Sequence, residues 1–185
     1  MKRYIIMTVG KTHSGKTTFA KELEEKLEHA VLIDQDNHAS FLHDYYKKLV
    51  PKTAKKELKH AITQTVVNYA IERSNAHLII SNANLRVSSR TGLLQFYKDN
   101  GFTSIIVYFD LPDCLLRERI RKGNRSTTIL RNAVSFEQVL DNQAEDLKSG
   151  LSSIPLEDES EHFFIIQDQG DKQLVLDRLT ALITT

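Results

Sequence analysis

The strongest constraint on this chain's fold is an apolar run, Tyr4-Ile5-Ile6-Met7-Thr8-Val9, that opens directly into Gly10-Lys11-Thr12-His13-Ser14-Gly15-Lys16-Thr17. A run without polar alternation suits a strand buried on both faces, as in the middle of a parallel sheet. Phe19, Ala20, Leu23 and Leu27 follow at helical spacing among good helix formers. Strand, glycine-framed loop and helix N-terminus therefore converge on one point, where backbone N–H groups and the helix dipole favour an anion. The loop fits the pattern G-x-x-x-x-G-K-[ST] at each fixed position. Gly10 and Gly15 permit the tight turn. Lys16 places an ammonium between β- and γ-phosphates, and the Thr17 hydroxyl is a ligand for Mg²⁺. Lys11, Thr12, His13, Ser14 and Thr18 complete the expected phosphate cradle, with the His13 side chain expected to point outward.

Downstream, apolar runs at 30–33, 77–81, 104–109 and 162–166 alternate with helical patterns at 16–28, 39–49, 54–74, 87–100, 113–122, 136–147 and 172–183. The helix at 54–74 carries Leu58, Ile62, Val66, Tyr69 and Ala70 at core spacing, and Ser135 with Gln138 reads as a capping box. Such alternation implies an α/β chain with a parallel sheet and helices on both faces. Ligands of such sheets sit at the carboxyl ends of the strands, so chemistry is sought there.

Bulk properties exclude some classes. At 185 residues the chain is expected to form one domain, 1–185. A formal charge of +1 gives no global field for gripping a long polyanion, although a local basic patch stays open. The one cysteine, Cys114, excludes an internal disulfide framework and suits a reducing compartment; its apolar helical setting points to a buried thiol. The initial apolar run is too short for a signal peptide or membrane span, so a cytoplasmic protein is expected, with no membrane partner. The histidines show no zinc-ligand spacing. The acidic stretch in 149–161 reads as a solvated loop.

Three places beside the loop carry candidate chemistry. After the second strand come Asp34-Gln35-Asp36-Asn37. A carboxylate there is placed to take a proton from an attacking hydroxyl, and Asp36 is the candidate; capping of the following helix is an equal reading from spacing. Asp34 could order metal-bound water or simply form the turn. The third strand ends in Ser81-Asn82-Ala83-Asn84. Where enzymes with such loops usually hold an Asp for Mg²⁺, this chain has Asn82. Between residues 116 and 132 stand Arg117, Arg119, Arg121, Lys122, Arg125 and Arg131. Guanidinium forks suit the charge of a transferring phosphoryl group, and a closing segment at about 122–134 would exclude water.

These residues together resemble the phosphate-loop kinase superfamily of small-molecule and nucleic-acid 5′-hydroxyl kinases. The likeness over 4–132 is greatest to the 5′-kinase domains of bacteriophage polynucleotide kinases. It rests on the loop, the Asp turn, Ile79-Ile80-Ser81-Asn82-Ala83-Asn84-Leu85, and Phe109-Asp110-Leu111-Pro112 before the arginine helix. That family has an Asp where Asn82 stands. The Asp turn also resembles those of adenylylsulfate kinases and zeta-type toxin kinases. The resemblance implies a three-layer α/β/α P-loop NTPase fold with a five-stranded sheet in the order 2-3-1-4-5 and a short arginine-bearing lid. It implies ATP and Mg²⁺ as cofactors, Asp36 as general base, Lys16 across the phosphates and Arg119, Arg121 or Arg125 in the lid. Asn82, Asn84, Arg86 and Arg90 are expected near the acceptor.

The expected activity is transfer of the γ-phosphoryl group to a hydroxyl, with a polynucleotide or nucleoside 5′-hydroxyl favoured. Alternatives are a kinase of a small metabolite, sugar, antibiotic or nucleotide sugar, or a non-catalytic ATP-binding regulator. The absence of an Asn-Lys-x-Asp run favours ATP over GTP. Oligomeric state is not legible.

Overall fold

Five strands form one parallel sheet in the order β2-β3-β1-β4-β5: β1 (Arg3–Gly10), β2 (Ala30–Ile33), β3 (His77–Ser81), β4 (Phe102–Phe109) and β5 (His162–Ile166). The computed structural model describes residues 2–50, 57–127, 130 and 133–184. The expected strand order and three-layer fold are those observed. The helices are α1 (Lys16–Lys26), α2 (Gln35–Tyr45), α3 (Glu57–Arg73), α4 (Val87–Asp99), α5 (Asp113–Lys122), α6 (Phe136–Lys148) and α7 (Gln169–Thr184). The start of the 54–74 pattern, Arg131 and part of the 122–134 lid lie outside the described residues. Among the described residues no helix is long and apolar enough to cross a membrane.

Period-two alternation sends β1 side chains to both faces, and both faces are covered. Ile6, Ile79, Ile105 and Val107 pack with Phe19 and Leu23 of α1 and Leu176 and Leu179 of α7. On the other face Ile5, Leu78 and Ile80 meet Val67 and Ala70 of α3 and Tyr97 of α4, while Met7, Val9 and Ile106 meet Leu94. A separate cluster of Leu111, Leu116, Ile120, Phe136 and Leu140 joins α5 to α6. The pairing of Gly10 with Phe109, of Phe109 with Ile166 and of Thr8 with Ser81 aligns the strand ends along one edge.

Several expectations change. The second helix starts at Gln35, not near residue 39, because Asp34 caps it by accepting the Asp36 N–H at 2.8 Å. On α3 the inward stripe is Val67 and Ala70, with Val66 and Ile71 beside it; Leu58 and Tyr69 face outward. Cys114 is exposed, since α5 turns Leu116 and Ile120 inward and Cys114 lies on another side. Ser135 caps α6 by accepting the Gln138 N–H, but the Gln138 side chain returns to the N–H of Val134, one residue earlier than a full capping box requires. The acidic stretch is anchored rather than merely solvated: Glu159 pairs with Arg90, and Glu161 accepts from the Ser104 N–H and hydroxyl.

Candidate active site

At the end of β1 the chain cannot carry a side chain at residue 10. A Cβ on Gly10 would stand 2.9 Å from the Cβ and carbonyl oxygen of Phe109 on the adjacent strand. The Gly10 N–H donates to the carbonyl of Ala83 at 3.0 Å, tying the loop to the exit of β3. His13 takes a positive φ of 59°, and Gly15 is the N-cap of α1 without a side-chain cap. The first turn of α1 thus keeps its N–H groups directed at the loop, as an anion site needs. The backbone of this loop, with Ser14, Gly15, Lys16, Thr17 and Thr18 on the wall of a cleft of about 950 Å³, fits a nucleotide polyphosphate.

Lys16 is almost fully buried, and its ammonium donates to the Lys11 carbonyl at 2.6 Å and the Ser14 hydroxyl at 3.0 Å. Burial, assisted by the Arg125 charge and opposed by Asp36 and Asp34, pushes its pKa down to about 7. Lys11 instead turns to Asp113 at the start of α5, at 2.5 Å. The Thr12 N–H donates to the Gln143 side chain of α6 at 2.8 Å. His13 does not project freely outward. Its ring meets Phe136 edge-on at a centroid distance of 4.8 Å, and burial followed by the Arg125 and Lys16 charges lowers its pKa.

The side-chain atoms around the Thr17 hydroxyl are all oxygen. The Thr17 hydroxyl lies 3.3 Å from the Asp34 carboxylate and 3.3 Å from the Ser81 hydroxyl. Burial raises the Asp34 pKa, with the nearby Asp36 charge adding to it; the Asp36 N–H, the Thr17 hydroxyl and Arg125 pull the other way. Among the described residues no group of three or more His, Cys, Asp or Glu is arranged around a metal position. The donor set fits Mg²⁺, which keeps several waters and takes few protein ligands. Ser81 was missed from sequence; its signal was its place as the last residue of β3, one position before Asn82.

Asp36 and Arg125 meet on the wall of the same cleft. The Arg125 guanidinium donates to the Asp36 carboxylate at 2.6 Å, both side chains being roughly two-fifths exposed. Because Asp34 supplies the helix cap, the Asp36 side chain is not used as one. Arg125 follows Gly123, where a Cβ would meet the Arg119 carbonyl at 2.9 Å. Arg119 donates to the His13 and Ser14 carbonyls at 3.3 and 3.2 Å, holding the loop from above.

Lys16, Thr17, Asp34, Asp36, Ser81, Asn82, Arg119 and Arg125 line the same cleft. Asn82, Ala83 and Gln143 also border an adjoining cavity of about 630 Å³, which Asn84 and Arg86 line. Asn84, at φ 49°, spends its amide on the Thr8 carbonyl at 2.9 Å. Arg121 is exposed on the last turn of α5 and lines neither cavity. Arg90, expected near the acceptor, lines neither cavity. It is wholly buried, donates to Glu159 at 2.6 and 2.8 Å, and binds the carbonyls of Asn84, Leu85 and Ser153. It lies on the helix face turned toward the chain that leaves β3, a direction that sequence spacing does not reveal.

Residues 5–147 match a family model described as AAA domain. No curated protein matches the chain significantly. Among solved structures, a protein of Chloroflexus aurantiacus J-10-fl described as a putative kinase aligns over 100% of this chain and 98% of its own at 16% identity and TM-score 0.67. Kti12 of Chaetomium thermophilum in complex with ADP-AlF3 aligns over 95% and 96% at 18% identity and TM-score 0.60. Shikimate kinase from Acinetobacter baumannii in complex with shikimate aligns over 98% and 93% at 21% identity and TM-score 0.54. At these identities the likeness is one of fold.

Proposed function

The chain belongs to the AAA domain family, and on that premise we propose that it is an ATP-dependent phosphotransferase acting on a hydroxyl acceptor. The observation that carries this reading is the meeting of Asp36 and Arg125 across the same cleft whose floor is the phosphate loop. A site that only held a nucleotide would need neither a half-exposed carboxylate nor a guanidinium opposite it.

In this reading the acceptor oxygen forms its bond to the γ-phosphorus while the bond to the bridging oxygen breaks and ADP leaves. Asp36 takes the hydroxyl proton, once the acceptor displaces Arg125 from its carboxylate. Lys16, Arg119 and the freed Arg125 hold the charge that spreads over the transferring group. Thr17, Asp34 and Ser81 would hold Mg²⁺, which neutralises phosphate charge when bound. Arg125, Ser126 and Leu130, which line the cleft, would limit water at the reacting phosphorus.

For the acceptor we favour a polynucleotide or nucleoside 5′-hydroxyl, which the β3 exit segment and the open cleft support. The adjoining cavity near Asn84 and Arg86 favours a second reading, a small metabolite or sugar acceptor. The lack of a carboxylate at 82 favours a third, a nucleotide-binding regulator without transfer. The single cysteine suits a cytoplasmic setting. Purified protein with γ-labelled ATP, offered 5′-hydroxyl oligonucleotides, nucleosides and sugars in turn, tests the reading. Label in an acceptor is the expected result; ADP release that no acceptor accelerates would overturn it in favour of the regulator.

A further inference from the structure

We propose that the outer face of α2 is a landing platform for single-stranded nucleic acid, which it leads toward the cleft. The direction toward the cleft rests on the phosphotransferase reading; the binding itself does not. Asp36, Asn37 and Ser40 of α2 line the cleft. Asn37, Phe41 and Tyr45 are four residues apart and so fall on one stripe of the helix, running from the cleft wall outward. Phe41 and Tyr45 lie tilted by 40° at a centroid distance of 5.3 Å, and Tyr46 meets Phe41 edge-on at 5.6 Å. The three rings are 44%, 75% and 48% exposed, and Leu49 beside them is 65% exposed. An adjoining set of large apolar groups facing water is uncommon on a protein that needs no partner there.

The charge around the rings identifies the partner. Lys47 and Lys48 are exposed immediately after the stripe. They stand in a chain whose net charge is only +1. The exposed acid Asp44 is engaged by the His43 ring at 3.2 Å. A single strand offers what this surface needs: base faces for the rings and phosphates for the ammonium groups. A second copy of the chain docking here by two-fold symmetry would bring lysines against lysines, which opposes that occupant. Stacking on rings is tolerant of base identity, so little sequence preference is expected.

The test is fluorescence anisotropy of labelled oligothymidylate and oligouridylate, without ATP, on wild-type protein and on Lys16→Ala, in which transfer is blocked. Both proteins are expected to bind at low salt. Phe41→Ala with Tyr45→Ala should weaken binding about ten- to a hundredfold, while keeping the wild-type circular dichroism spectrum and ADP affinity. Phe41→Tyr with Tyr45→Phe should retain binding, because the π faces remain. Lys47→Glu with Lys48→Glu should flatten the slope of log affinity against log salt by about 1.4, as the loss of two phosphate contacts requires. Failure of wild-type protein to bind either oligonucleotide overturns the platform even if small hydroxyl acceptors are phosphorylated. Unchanged binding by the alanine pair, or a self-association that this pair abolishes, overturns it too. Binding that depends on the rings in a protein with no transferase activity sustains the platform and refutes only the catalytic reading.

Discussion

On the donor side of the cleft, position is enforced by groups that cannot move independently. Gly10 is pressed against Phe109 of the next strand, the loop is tied to Ala83, and Lys16 is buried between two acceptors. On the side proposed for the acceptor, Asp36 and Arg125 meet at 2.6 Å as half-exposed chains on a helix start and a loop. An ion pair of that exposure is worth about 0–1 kcal/mol. The donor side is thus held by the core, whereas the acceptor side is held by a contact that a ligand can displace. Loss of a donor residue should therefore affect binding and chemistry together, and loss of an acceptor residue should affect chemistry alone.

The largest effect expected from this contrast is that of Lys16→Ala, which should lower transfer by about a thousandfold or more and weaken ATP binding as well. Asp36→Asn should lower kcat by about a hundredfold or more with ATP affinity kept. Single-turnover transfer and equilibrium nucleotide binding, measured on both variants, separate the two sides. Full activity of Asp36→Asn would remove Asp36 as the base and leave Arg125 paired with a group of no catalytic use.

Arg90 sharpens the same contrast from the opposite direction. From sequence it stood with the acceptor residues, yet its guanidinium joins α4 to Glu159 and to three carbonyls in the interior. Arg90→Leu leaves Glu159 largely buried without its partner and should cost about 3–5 kcal/mol of stability. Denaturant unfolding reads the loss, and the KM for whichever acceptor is used should not change in the fraction that folds. An acceptor KM raised at unchanged stability would restore Arg90 to the site.

The difference between Lys16 and Arg90 also shows what sequence spacing carries. The phosphate loop is local: its residues are fixed by one strand, one turn and one helix start, and the apolar run of β1 announced its burial on both faces. The sheet order followed from resemblance and is the order observed. Which face an arginine takes depends on what packs there from far along the chain, and Glu159 lies 69 residues from Arg90. The cap of α2 is decided in a similar way. Spacing left capping open for Asp36, but the cap belongs to the residue whose backbone is still extended, and that is Asp34. Gln143 reaches the cleft only through tertiary packing, and Ser81, although it ends β3 beside Asn82, meets the Thr17 hydroxyl only because β1 and β3 pair.

The depressed pKa of Lys16 yields a pH dependence with a definite sign. In the free protein burial brings this group to about 7, so above that pH it loses its proton. A bound polyphosphate favours the ammonium, and the complex then holds more protons than its separated parts. Affinity for ATP should consequently fall as pH rises above about 7, by at most about tenfold per unit, and this contribution should level off below it. Calorimetry in buffers of differing ionisation enthalpy should show proton uptake at pH 8. Proton release there, or affinity rising with pH, would mean that Lys16 is already charged in the free loop.

The smallest effect concerns the metal side, where the two kinds of construction meet. Thr17 belongs to the rigid loop, but its oxygen partners come from the cap of α2 and the end of β3. Ser81 stands next to Asn82, and a hydroxyl there adds no charge, so in the proposed site most of the protein's negative charge for Mg²⁺ would come from Asp34. Ser81→Ala should then raise the Mg²⁺ concentration needed for half-maximal transfer only about threefold, the size of one neutral hydrogen bond. Because burial raises the Asp34 pKa, the same Mg²⁺ requirement should climb as pH falls, beginning above the usual aspartate range, in wild type and Ser81→Ala alike. Asp34→Asn should abolish that climb. If it persists in Asp34→Asn, the titrating group is elsewhere, and the cap of α2 has no part in holding the cation.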